Sequence, residues 1–171
     1  MIPVMKWIER KFNFDLPLGL YPCILARISG TPARLNELVG SIPSGKLIES
    51  PRDGWSIQEH IGHLIDVELL HDARIDDFLA QKDELTPADM SNRKTDAAQY
   101  NEQSIEDIIA RFRTERFKLV SRLEKLDDAF VARPSFHPRL KVPMRPIDMA
   151  YFVAEHDDHH IALILQMLAA G

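Results

Sequence analysis

The stretch "AYFVAEHDDHHIALILQML", Ala150 to Leu168, sets three acids and three histidines, Glu155 to His160, inside an otherwise apolar run. At helical spacing, Met149, Val153, His156, His160, Leu163 or Ile164, and Met167 share one stripe. The stripe predicts a core-facing helix from Pro146 to about Leu168, closing at "AAG", with His156 and His160 pointing where Val153 and Met167 point. Residues four apart on a helix have Cβ atoms ~5–6 Å apart. Two imidazoles so placed can hold one ion at the ~2.0–2.1 Å expected for a Zn–N bond.

Outward from that helix, the chain reads as three more amphipathic segments. "RPSFHPRLKVPMRP", Arg133–Pro146, carries four prolines and is predicted as a loop. Before it, Ile105, Ile108, Phe112, Arg116, Leu119, Leu123 and Leu126 keep the i, i+3/i+4 pattern of a helix starting at Ser104, with Asp107 as a weaker capping-box partner. "WSIQE" is the clearest start signal. Ser56 as N-cap and Glu59 at N3 predict a helix from Ile57 to about Ala80. That helix carries His60, His63 and His71, and Gly62 leaves room for another helix to approach. Gln81–Gln103 is a polar connection, long enough to cover a site. The first long helix is expected over Leu20–Ile42, through Ile24, Ile28, Leu35, Leu38 and Ile42. Pro32 should kink it or restart it with Thr31 as N-cap. Residues 1–19 form an arm, irregular or with one short helix around Val4–Lys11, and Trp7, Phe12 and Phe14 should pin it to the body. Four such helices make an all-α four-helix bundle the most economical fold, one in which metal sites arise from inward-facing side chains.

Composition sets the outer bounds. A length of 171 residues suits one domain, 1–171, and 45% hydrophobic residues suffice for a core. A net charge of −5, with 21 Lys and Arg scattered among 26 acids, argues against a nucleic-acid partner. No stretch approaches the ~20 apolar residues of a membrane span, and no signal-peptide pattern opens the chain, so a cytoplasmic protein is expected. The single Cys23 excludes an internal disulfide and fits a reducing compartment; its apolar neighbours "YPCILARI" read as a small buried hydrophobe.

A lone core histidine is most often simply hydrogen-bonded. Two at i, i+4 on the apolar stripe, with a third on a separate capped helix, shift the balance toward a metal. His159 lies about 100° round the helix from His160 and reads as a surface or supporting residue. His71 and His137 fall outside the expected ligand set. Asp157 and Asp158 read as a solvated flank, with Asp157 the better of the two to support a ligand.

"WSIQEHIGHLIDVE" followed about ninety residues later by "FVAEHDDHHIALI" resembles the DinB-like superfamily, which includes bacillithiol and mycothiol S-transferase-like proteins. The resemblance runs from "GTPARLNELV" to the last helix. It implies a four-helix bundle with a long crossover, commonly dimeric, and a metal held by one histidine of the second helix and two of the fourth. By position these are His63, eight residues after Trp55, with His156 and His160. Many relatives carry Gln four residues after the last ligand; here that position is Ile164, and the nearest Gln is Gln166.

Three neutral imidazoles leave an ion at least one open position. One divalent ion per chain is expected, with Zn preferred and Ni, Fe or Cu also compatible with the donor set. It can activate a water or hold a thiol as thiolate, and the resemblance implies the second, a thiol-dependent transferase acting on a small molecule. A metal-dependent hydrolase needs a base. The HExxH pattern is absent, and the candidates are Asp157, Asp66 and Glu59, the last already explained by its cap. A non-catalytic bundle, its ion tying the second and fourth helices together, is the rival from another class; a fourth protein ligand would mark it. The connection Gln81–Gln103 and the loop Arg133–Pro146 are the expected pocket walls. The arm's rings add to the expectation of a homodimer, since a small bundle leaves few places to cover them.

Overall fold

The computed structural model describes residues 2–52 and 54–170. Four long helices dominate: α1, Tyr21–Val39; α2, Ile57–Leu79; α3, Ile105–Leu123; and α4, Pro146–Ala170. Both α1 and α2 pack against α3 and α4. Consecutive helices α1 and α2 therefore sit diagonally, as do α3 and α4, which is the crossover topology.

Local chemistry sets the helix starts. Ser56 Oγ accepts from Glu59 N at 3.1 Å while Glu59 Oε2 accepts from Ser56 N at 2.7 Å, both halves of the capping box. Ser104 Oγ accepts from Asp107 N at 3.1 Å. The expected break at Pro32 does not occur, and α1 is continuous through it. The proline leaves the carbonyl of Ile28, four residues back, without a helical donor. Arg116 Nη1 on α3 supplies that hydrogen bond at 3.0 Å, so the helix survives its proline, and Thr31 serves another partner instead of capping.

The loop expected at Arg133–Pro146 holds a short antiparallel hairpin, β1 Ser135–His137 with β2 Val142–Met144. Phe136 also donates to Asp83 O at 2.7 Å and accepts from Leu85 N at 3.0 Å, which stitches the Gln81–Gln103 connection to the hairpin. That connection contains a short helix, Arg93–Ala97, and a 3-10 turn, Tyr100–Glu102.

The arm is pinned to the body. Only one 3-10 turn forms in the Val4–Lys11 region, Trp7–Glu9. Trp7 packs on Phe12 and Phe152 with centroids 5.1 and 4.8 Å away, Arg10 pairs with Glu155, and Val4 N donates to Gln166 Oε1 at 3.2 Å. These rings are covered by their own chain, which removes their support for a dimer. Cys23, expected inside, is exposed. No helix among the described residues is long and apolar enough to cross a membrane.

The core divides into two apolar clusters. One gathers Ile28, Ile75, Leu119, Leu123 and Val153; the other gathers Leu35, Ile61, Leu64, Phe112 and Ile164. Each fully buried side chain of this size contributes about 1.5–3 kcal/mol. Every helix also buries polar residues, which meet in the interior as a polar layer: Thr31 on α1, His63, Glu68 and His71 on α2, Arg116 on α3, and His156, Asp157 and His160 on α4. The polar interruption "EHDDHH" is the α4 share of that layer.

Candidate metal centre

The polar layer has two halves. In one, the Arg116 guanidinium is 1% exposed and donates to Glu68 Oε1 at 2.7 Å and Asp157 Oδ1 at 2.9 Å, while Thr31 Oγ1 donates to Asp157 Oδ2 at 2.6 Å. Burial alone would lower the Arg116 pKa, but the carboxylates of Asp157 and Glu68 overcome it and hold the group protonated. Asp157 is thereby committed. It lies on no solvated flank and makes no hydrogen bond to a histidine among the described residues, so the structure gives it neither the supporting role nor that of a base. Asp158 pairs with Arg27 and Arg34 at the surface.

In the other half, His63, His156 and His160 each present a ring nitrogen within 4.8 Å of the others, and all three are buried. His156 Nε2 and His160 Nε2 stand 3.2 Å apart. Two ligand atoms at ~2.0–2.1 Å from a tetrahedral Zn would be about 3.3 Å apart, so this spacing fits one shared ion. Hydrogen bonding around the rings agrees. Thr95 Oγ1 donates to Asp66 Oδ2 at 3.0 Å and so accepts from His63 Nδ1 at 3.1 Å, leaving the His63 Nε2 lone pair free. Asp66 is held in turn by Tyr100 Oη at 3.0 Å. His160 Nδ1 lies 2.9 Å from His60 Nδ1; with that proton on His160, its Nε2 lone pair also faces the cluster. His156 Nδ1 is buried without a partner. Burial, reinforced by neighbouring rings, pushes the pKa of His60 and of His63 down to about 4 and those of His156 and His160 well below the ordinary range. Neutral rings with converging lone pairs are what a divalent cation requires.

The cluster opens on a cavity of ≈ 290 Å³ walled by Trp7, Trp55 and Phe152, by Ala88, Asp89, Met90 and Asn92 of the connection, and by His137 and Arg139 of the hairpin. Both expected wall segments contribute. His159 and His71, outside the triad, also line it. A larger groove of ≈ 640 Å³ between Ser41–Pro51 and the end of α4 is apolar and distant from the cluster's chemistry. Of the other candidate bases, Glu59 stays in its cap and Asp66 is committed to Thr95 and Tyr100. Ile164 is fully buried in the core, and Gln166 holds the arm.

Several site residues escaped sequence reasoning. Thr95 and Tyr100 come from the polar connection, where nothing marks them, and His60 was set aside although it orients His160. Gly62 faces Tyr100, not another helix: a Cβ there would sit 2.3 Å from the ring. Gly62→Ala is therefore expected to cost about 1–3 kcal/mol by overpacking. It should also weaken metal binding more than stability explains, because displaced Tyr100 releases Asp66 and Thr95. Parallel urea and metal titrations check this, and unchanged metal affinity in a destabilised variant would refute the linkage.

The comparisons with known proteins agree with this architecture. YfiT from Bacillus subtilis, described as a probable metal-dependent hydrolase with an unusual four-helix bundle topology, superposes with a TM-score of 0.80 at 20% identity, covering 93% of this chain and 91% of that one. A mycothiol-dependent maleylpyruvate isomerase superposes with a TM-score of 0.66 at 12% identity, covering 91% of this chain and 69% of its own. At these identities the likeness is one of fold. No curated protein sequence matches significantly. Residues 27–164 match the DinB superfamily, and the chain, its bundle and its diagonal topology included, belongs to that superfamily.

Proposed function

We propose that the protein is a metal-dependent enzyme that binds one divalent ion, Zn in preference to Ni or Fe, through His63, His156 and His160, and that it activates a low-molecular-weight thiol for transfer to a small electrophile. The observation that carries the choice of chemistry is the state of the carboxylates. Asp66, Asp157 and Glu59 are held by side-chain or backbone partners, and Glu68 is ion-paired to Arg116 through Oε1 while its Oε2 is buried without a partner. Among the described residues the one carboxylate lining the cavity, Asp89, sits exposed at the rim and accepts from Ser91 at 2.6 Å. A hydrolase that uses a carboxylate as its base would need one of them free and facing the cavity. Thiol chemistry needs none, because a bound divalent ion supplies the charge that keeps sulfur deprotonated near neutral pH.

The chain's own groups have defined parts in this reading. Thr95 and His60 hold the tautomers of His63 and His160. Trp7, Trp55 and Phe152 exclude water from the sulfur. His71, on the cavity wall with its buried Nδ1 3.8 Å from Glu68 Oε1, takes the thiol proton. His60 is placed to orient His160 and is not counted as a fourth ligand, which leaves a position open for substrate. The mycothiol dependence of one structural neighbour supports the thiol; the description of YfiT supports hydrolysis as the alternative. A homodimer is part of the proposal, supported by Leu69 on α2 and Phe117 on α3, which are 59% and 71% exposed.

Protein purified without an affinity tag is expected to hold one divalent ion per chain. His156→Ala should lose it, whereas His71→Ala should keep it and lose thiol-dependent turnover. Full metal occupancy in His156→Ala sinks the ligand assignment. Metal-dependent ester or amide hydrolysis without thiol binding transfers the case to the hydrolase, and no activity over a broad panel leaves a structural ion. A 19.6 kDa particle in light scattering at micromolar concentration sinks the dimer.

A further inference from the structure

We infer that the end of the cavity formed by Arg74, Arg139 and His137 is a binding subsite for a carboxylate carried by the substrate; this rests on the proposed function only in taking the cavity as the substrate's.

Three observations converge. Arg74, on α2, is 1% exposed, lines the cavity and forms no salt bridge among the described residues. Its Nε donates to Thr86 O at 3.0 Å, but Nη2 is buried with no acceptor. The carboxylate three positions on, Asp77, exerts some attraction on Arg74 but is already hydrogen-bonded by Lys82 Nζ at 2.7 Å and Thr86 N at 2.6 Å. On the facing hairpin, Arg139 also buries an Nη2 without an acceptor, its guanidinium 5.9 Å from the Phe152 ring. His137 completes the set. Its Nδ1 accepts from the backbone N–H groups of Arg139 and Leu140, each at 3.2 Å, so the ring proton is on Nε2. That Nε2–H is buried and has no acceptor. His137 is 2% exposed, lines the same cavity as Arg74 and Arg139, and shares the Phe152 ring with Arg139, its own centroid 5.7 Å from that ring. Burial together with the charges of Arg74 and Arg139 pushes its pKa down to about 3.

Three donors therefore share one end of a cavity with no acceptor among the described residues. A buried guanidinium without a counter-ion costs stability, and folded proteins rarely carry one without use. The missing partner is an acceptor with negative charge. A carboxylate matches the geometry, since it accepts from guanidinium N–H groups and from one further donor in charge-assisted hydrogen bonds. With the three-histidine cluster at the other end, the cavity selects small molecules that pair a carboxylate with the reacting group.

The test separates this subsite from the metal. In chelator-treated protein, benzoate is titrated against benzamide and inorganic phosphate, following the fluorescence of the two cavity-lining tryptophans and calorimetric heat. Benzoate should saturate while benzamide does not, and Arg139→Gln, on the half-exposed hairpin, should weaken benzoate about tenfold or more. Arg74→Met should abolish benzoate binding and leave the melting temperature unchanged or higher, because it removes an uncompensated buried charge. Absent benzoate saturation, phosphate binding in its place, equal benzoate affinity in Arg139→Gln, or a lower melting temperature with unchanged benzoate affinity in Arg74→Met each overturns the inference. In Zn-loaded protein, 3-mercaptopropionate should bind more tightly than 3-mercaptopropionamide. Loss of thiol binding with benzoate binding intact would count against the thiol reading while upholding the subsite.

Discussion

Arg116→Met is expected to lower the unfolding free energy by about 3–5 kcal/mol, the cost typical of removing one partner from a buried ion pair. The residue satisfies three groups at once. Its guanidinium serves Glu68 and Asp157, which are 2% and 1% exposed, and the Ile28 carbonyl that Pro32 leaves without a helical donor. Methionine fills the space but strands two carboxylates and a carbonyl in the interior. Denaturation in urea at pH 7.5 measures the loss. Combining Arg116→Met with Glu68→Leu and Asp157→Leu should recover much of it, because the penalty lies in the unpaired charges and not in the missing attraction. A loss below about 1 kcal/mol in the single variant would mean that water reaches the layer, and the account of α1 surviving its proline would fall with it.

That dependence explains what could be read from the sequence. The starts of α2 and α3 were legible because capping is local: Ser56 and Glu59 are three residues apart, and so are Ser104 and Asp107. The continuity of α1 was not, because the donor that rescues Ile28 comes from 88 residues away. The hairpin 135–144 escaped because its paired strands are three residues each, too short for an alternating pattern, and its prolines argue for a loop. The histidine cluster was half legible. His156 and His160 share a stripe, but the pattern alone left His60 and His63 open, and the family resemblance was needed to choose between them. Asp157 illustrates the opposite hazard. Adjacent residues on a helix point about 100° apart, so the neighbour of His156 in sequence turns toward Thr31 and Arg116. Asp66, a candidate base on its residue type, is hydrogen-bonded to Thr95 and Tyr100. Its carboxylate orients His63 through Thr95, a link that exists only once the polar connection has folded over α2.

The metal-free protein is expected to become much less stable as the pH falls from 7.5 to 5. His60 and His63 titrate at about 4 in the folded state and His137 at about 3, with burial as the main cause; His156 and His160 lie well below the ordinary range. In the unfolded chain these rings titrate near ~6.5. Above that value neither state binds their protons, and their contribution to stability is fully present. Below it the unfolded chain takes up protons that the folded one refuses, so stability falls as the pH drops toward the folded-state values. At pH 5, His60 and His63 would each withdraw roughly 2 kcal/mol. Protons on adjacent rings repel one another, so the set does not sum freely, but a total of about 5 kcal/mol is comparable with the whole stability of many domains. The paired carboxylates act in a lower window. Glu155 and Asp158, held below their usual range by Arg27 together with Arg10 and Arg34 against the opposing effect of burial, contribute stability that is lost only below about pH 4.5. Urea midpoints of chelator-treated protein at pH 7.5, 6 and 5 should therefore fall steadily over a range in which carboxylates alone would leave them level. Saturating Zn should raise the midpoint by a similar amount from pH 7.5 to 5, since the folded-state rings hold few protons for the ion to displace over that range. A midpoint that stays flat from pH 7.5 to 5 would mean that the rings accept protons in place, and neither the closed polar layer nor a preformed metal site would survive that result.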